Sequence, residues 1–185
     1  MNGQWKNVPV EDFFRRLYRT FPCLPILAED LGAESPDVRE IMNLYGIPGM
    51  RPLLFAFGES LPLHPCAPHN IPQNTVVYTG THDLNTVRGW FEKEATAEDR
   101  QRLFNYLGYQ TQASELHWAM IRLAMMSVAQ LVILPLQDVV GLNEKSRMNR
   151  PGTNRGNWQW RLSPEHLAPS NFQRLRELTE IYGRL

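Results

Sequence analysis

Two adjacent carboxylates, Glu29 and Asp30, close an apolar run and are followed by Leu31 and Gly32 in the stretch Ile-Leu-Ala-Glu-Asp-Leu-Gly. A buried strand that merely turns would end on Asn, Ser or Gly. Acids at its mouth can instead exchange protons with a ligand. Glu29 has the residue type and position of a general acid/base, and it could equally cap the helix that follows or pair with an arginine. Neighbours on a strand point to opposite faces, so Asp30 reads as the structural member of the pair.

A second group lies in Tyr78–Trp90, where an apolar strand meets Gly80 and then Thr81, His82 and Asp83 ahead of a helix. A histidine beside an aspartate at a strand end can hydrogen-bond a polyhydroxylated ligand, although plain loops also carry such pairs. Asp83 is a candidate catalyst and equally a candidate helix cap, with Thr86 as a second capping candidate. A third group, Arg147–Leu162, combines Arg, Asn, Gly and Trp. Amides and guanidinium groups bond hydroxyls, and indoles stack on apolar faces; a phosphate or RNA loop could share that composition. His64, Cys66 and His69 are spaced by prolines in a way that gives no ligand geometry, so no metal is expected. Neither a glycine-rich dinucleotide fingerprint nor a P-loop follows any strand, so no cofactor is expected.

These groups need elements to hold them. Helices are expected over Glu11–Arg19, Asp37–Tyr45 with Ser35 and Pro36 marking its start, Thr86–Lys93, Glu98–Leu107, Ser114–Gln130 and Asn171–Tyr182. In the first, Phe13, Phe14, Leu17 and Tyr18 share a side. In the longest, Leu116, Ile121, Leu123 and Ala124 face inward. Strands are expected over Pro25–Ala28, Met50–Phe57, Thr75–Thr79 and Leu131–Leu136. Four short buried strands separated by helices imply an α/β fold of parallel βα units. Each strand ends in polar residues: Glu29 and Asp30, Glu59, His82 and Asp83, then Gln137 and Asp138. In both barrels and open α/β sheets, sites are built from such ends.

The bulk numbers restrict function further. The 185 residues suit one unit, and 43% hydrophobic with 21% charged residues suits a packed core. Basic and acidic residues balance at 19 each, so no global positive field draws nucleic acid. The two cysteines, Cys23 and Cys66, fit reduced thiols in a cytoplasmic protein. The polar Met1–Pro9 segment has no leader character, and no apolar run approaches the ~20 residues of a membrane helix.

Taken in order, Leu-Ala-Glu-Asp-Leu-Gly, Gly-Ile-Pro-Gly-Met, Pro-His-Asn, Tyr-Thr-Gly-Thr-His-Asp, Leu-Pro-Leu-Gln-Asp-Val-Val-Gly-Leu and Arg147–Leu162 resemble the C-terminal half of the 4-α-glucanotransferases (amylomaltase or disproportionating enzyme) of glycoside hydrolase family 77. The likeness runs from about Trp5 to the end. It implies the second half of a (β/α)8 barrel, about four βα units, acting on α-1,4-glucans and maltooligosaccharides by retaining double displacement. It assigns the acid/base role to Glu29 and the third carboxylate to Asp83, with His82 as a substrate contact and Asn149 near the donor site. Leu84 stands where the family usually has Asn. The family's nucleophile, on an Arg-Ile-Asp-His motif, has no counterpart here, and a whole barrel takes ~250 residues. The expectation is therefore a chain inactive alone that associates with itself or docks with an N-terminal half. A glucan-binding module without catalysis is the alternative.

Overall fold

The computed structural model of the chain describes residues 6, 8–23, 25–32 and 36–184. They form seven α-helices and a three-stranded parallel sheet. The sheet runs β1 (Gly49–Pro52), β2 (Thr75–Tyr78), β3 (Leu131–Ile133), in that spatial order. Gly49 aligns with Thr75, and Val76 with Leu131. Ala28 adds one parallel bridge to Gly49, so the expected Pro25–Ala28 strand is a single point of pairing.

The elements obey local chemistry. Helix α1 (Val10–Thr20) starts after Pro9 with Glu11 and Asp12 in its first turn, acids that suit a helix N-terminus. Helix α2 (Pro36–Leu44) opens on a proline; Ser35, expected as its cap, lies outside the described residues. Helix α3 (Val87–Lys93) is capped by Thr86, whose Oγ1 accepts from the Gly89 backbone N–H at 3.0 Å. Thr86 thus precedes the helix it was expected to begin. Helix α4 (Ala97–Leu107) has a reciprocal cap between Thr96 and Asp99 and ends at Gly108, φ 80°. Helix α5 (Ala113–Met126) is followed by Ser127 in extended geometry, short of the expected Gln130. A short helix α6 (Leu136–Val139) and the amphipathic α7 (Pro169–Ile181) complete the set.

Two further strands differ from expectation. Met50–Phe57 is extended only to Pro52 and then coils into a 3-10 turn, Leu53–Phe55. Proline cannot donate to a ladder, and the coil turns Leu53, Leu54 and Phe57 into the core. Leu131–Leu136 stops pairing at Ile133, because Pro135 sets up α6. Nor is it uniformly buried: β3 is the sheet edge, and Leu131 and Ile133 are 43% and 37% exposed.

Helix α5 is the axis of the core. Its Leu116, Met120, Leu123 and Ala124 belong to one buried cluster with Leu53, Phe57, Val77 of β2, Val87 of α3 and Leu103 of α4. Its Trp118, Ile121 and Met125 pack with Val139 of α6 and Leu178 of α7. Only a narrow stripe of the helix, with Glu115, Arg122 and Met126, is exposed. At its end, Arg184 donates to the carbonyls of Met125, Ser127 and Ala129 at 2.7, 2.6 and 3.0 Å. Helix α1 is held differently: Phe14 stacks on Tyr45 at 4.4 Å and the Tyr18 hydroxyl donates to the Tyr45 carbonyl at 3.0 Å, while no α1 residue is buried.

Candidate functional site

The carboxyl ends of Ala28, β2 and β3 open on one cavity of about 500 Å³. Glu29, Tyr78, His82, Gln137, Asp138 and Arg147 are among its lining residues. The strand-end residues expected to converge therefore do so for Glu29 and His82. Asp83 is not among the lining residues, and its Oδ1 lies 3.4 Å from His82 Nε2.

The Glu-Asp pair divides as the strand alternation demands. Asp30 is buried, 9% exposed; its Oδ1 accepts from the Met50 backbone N–H at 2.6 Å and its Oδ2 from the Arg51 guanidinium at 2.7 Å. Position 49 is glycine of necessity, since a Cβ there would collide with the Asp30 carboxylate. Asp30 thus anchors the segment and Glu29, exposed, is left to face the cavity. Burial, and then the charge of Glu29, raise the Tyr78 pKa. Tyr78 therefore stays a protonated hydroxyl beside the glutamate.

The loop after β2 is clamped to the segment after α6. Asn149 donates from its side chain to Asp83 Oδ1 at 2.5 Å, and its backbone N–H donates to the His82 carbonyl at 3.0 Å. His82 Nε2 is 3.4 Å from the same Asp83 Oδ1. The two candidates for sugar recognition, His82 and Asn149, thus share one carboxylate. Asp83 does not cap α3; Thr86 does. The Trp158 ring lies 5.3 Å from that of His82, and Trp158 has φ 62°, a left-handed geometry rare for a bulky side chain. That strained backbone holds an indole 52% exposed over the histidine.

Arg147, in the Arg147–Leu162 group, has a role that its residue type does not announce. Its Nη2 donates to the Asp83 carbonyl at 2.7 Å, its Nε to the Asn149 carbonyl at 2.8 Å, and its Nη1 to Glu94 Oε1 at 2.9 Å. Glu94 Oε1 also accepts from Asn85 Nδ2 at 2.8 Å. A planar guanidinium reaches three segments at once in a way lysine cannot. Asp138 was noted at a strand end and given no role. An acid within the apolar Leu-Pro-Leu-Gln-Asp-Val-Val was the available signal, because a lone charge in such a run needs buried partners. Of the other groups, His64 donates nothing to a cluster: its Nδ1 accepts from the Cys66 backbone N–H at 3.1 Å. Cys66 is buried and Cys23 exposed. Among the described residues no group of His, Cys, Asp and Glu is arranged to hold a metal ion.

A sequence profile of the 4-alpha-glucanotransferase family matches residues 1–167. A 4-alpha-glucanotransferase of Synechocystis is 45% identical over 99% of this chain, and that of Thermus thermophilus 40% identical over all of it. The chain spans only 36% and 38% of those relatives' lengths. The structure of amylomaltase from Streptococcus agalactiae in complex with acarbose superposes on 98% of the chain with a TM-score of 0.90 at 33% identity, the chain covering 36% of it.

Proposed function

The chain belongs to the 4-alpha-glucanotransferase family, and from that premise we propose that it supplies the acid/base side of a retaining transfer of α-1,4-glucan segments between glucans. Glu29 protonates the leaving glycosidic oxygen and later takes the proton from the incoming glucan hydroxyl. Asp83, oriented by Asn149, and His82 receive the hydroxyls of the reacting sugar and favour its oxocarbenium-like transition state. Tyr78, a neutral donor, and Trp158, a flat apolar surface, line the approach. The observation that carries this reading is the meeting of Glu29 and His82 around one cavity at the carboxyl ends of parallel strands, with Asp83 next to His82 and clamped by Asn149.

Retaining chemistry needs a second carboxylate about 5–5.5 Å from the first to attack the anomeric carbon. The family motif that carries it, Arg-Ile-Asp-His, is not among the 185 residues. The chain alone therefore binds maltooligosaccharides, as the acarbose-bound relative binds its ligand, and transfers once another stretch of polypeptide brings that aspartate. We read Ala28, β1, β2 and β3 as consecutive staves of a (β/α)8 barrel. The free side of β3, with Leu131 and Ile133 exposed, is an edge on which further strands or a second copy pair. A reducing, cytoplasmic compartment is the setting in which the exposed Cys23 thiol persists.

The test is glucose release from maltotriose by the chain mixed with a polypeptide bearing that motif. Glu29→Gln keeps shape and removes the proton donor, so the rate should fall by about 10²–10⁴ with glucan binding retained. A mixture whose activity ignores Glu29→Gln would overturn the assignment.

A further inference from the structure

Among the described residues Asp30 and Asp138 are the buried acids, and the transfer above uses neither. Asp138 is 1% exposed. Its Oδ2 accepts from Thr79 Oγ1 at 2.6 Å, and its Oδ1 from the Val87 backbone N–H at 2.8 Å. Thr79 follows β2 directly, and Val87 opens α3. Residues 80–86 between them carry His82 and Asp83. One carboxylate, from the short helix beyond the sheet edge, therefore holds both feet of the loop that bears two site residues. Thr86 satisfies only the Gly89 N–H of the first turn of α3, so the Val87 N–H, and with it the start of the helix, is tied by Asp138. The far side of the loop is gripped independently, by Arg147 and Asn149.

We propose that Asp138 is a positioning residue that fixes both ends of the Gly80–Thr86 loop and so sets His82 and Asp83 against a sugar held in the cavity. This rests on the glucanotransferase reading of that cavity. The tie is made against a cost: burial pushes the Asp138 pKa up to about 6, while the bonds from Thr79 and Val87 pull it down. Asp138 also lines the cavity wall, so the anchor and the ligand space share a boundary.

The experiment is two-dimensional amide NMR of the isotopically labelled chain, with acarbose titrated into the parent and into Asp138→Ala, Asp138→Asn and Thr79→Val. In Asp138→Ala the resonances of residues 80–86 and of the Asn149 side-chain amide should shift or broaden, while those of α4 and α7 stay. Acarbose affinity should fall about tenfold or more, the weight of leaving a buried hydrogen-bond partner unsatisfied. Asp138→Asn should restore both, because its Oδ1 still accepts from Val87 and its amide can donate to the Thr79 oxygen. A purely structural acid would instead lower the melting temperature without loop-specific changes. A folded Asp138→Ala with unmoved loop resonances, or an Asn variant as damaged as the Ala one, overturns the proposal. If Asp138→Ala does not fold, Thr79→Val decides: loop shifts support the anchor and their absence refutes it. A parent chain that ignores acarbose while the loop responds as stated would sink the glucan reading and leave the anchor standing.

Discussion

Helices α1 and α5 have equally legible sequences and opposite fates. Helix α1 has a sharply apolar side, with Phe13, Phe14, Leu17 and Tyr18, yet Phe13 is 58% exposed and no residue of the helix is buried. Helix α5 has a diffuse pattern and buries nine residues, Leu116 to Ile121 and Leu123 to Met125. Periodicity shows that a face wants a partner, and only the fold shows whether it has one. The two regions are consequently held by different forces. Residues 49–139 are held by apolar area. The described residues of 10–45 are held at points: the bridge at Ala28, the buried ion pair at Asp30, and the stacking of Phe14 and Tyr18 on Tyr45.

The contrast can be broken at its strongest point. Asp30→Ala leaves the Arg51 guanidinium, 14% exposed, without its carboxylate, and should cost about 3–5 kcal/mol. The loss should release the N-terminal segment first, so hydrogen exchange should rise at Ala28 and Met50 while α5 stays protected. Uniform exchange would show the two regions to be one cooperative unit. Leu116→Ala, at 0% exposure, should cost about 2–5 kcal/mol in urea unfolding. Its exchange signature should be the reverse, with the core opening together.

An acid titration sharpens the comparison within α5 itself. His117 is 5% exposed and burial pushes its pKa down from 6.5 to about 4. A base whose pKa is lower in the folded state binds protons more weakly there than when unfolded. The stability it contributes is therefore complete above about 6.5 and lost as pH falls towards about 4. His117→Gln should flatten that part of a urea-midpoint profile; an unchanged profile would place the acid sensitivity elsewhere. Thr96→Ala, which removes the α4 cap, should cost about 1 kcal/mol of thermal stability. Phe13→Ser in α1 should stay within about 0.5 kcal/mol, and a larger loss would mean that α1 is packed more firmly than its exposure shows.

Most of the helices could be read from residue types because their ends carry their own chemistry: Thr96 with Asp99, Gly108, Pro36, Pro169. Strand ends were harder. Pro52 and Pro135 end pairing for a reason visible in the sequence, but the coil of Leu53–Phe55 and the exposed β3 edge depend on what lies alongside. In the site, Glu29 facing the cavity and Asp30 buried followed from alternation along a strand. The meeting of Asp83 with Asn149 joins residues far apart in the chain, and nothing local encodes it. Arg147, Glu94 and Asp138 act through such distant bonds, which is why residue type alone left them without roles.

Arg184, in the turn after α7, closes the carbonyl end of the most buried helix. Burial lowers its pKa, so the guanidinium gives up hydration to make those contacts. Loss of this one side chain would therefore uncap α5 at the negative pole of its dipole, and loosen the core from its rear although every apolar residue in it remained. The turn after α7 works as a latch on a helix of which it is no part.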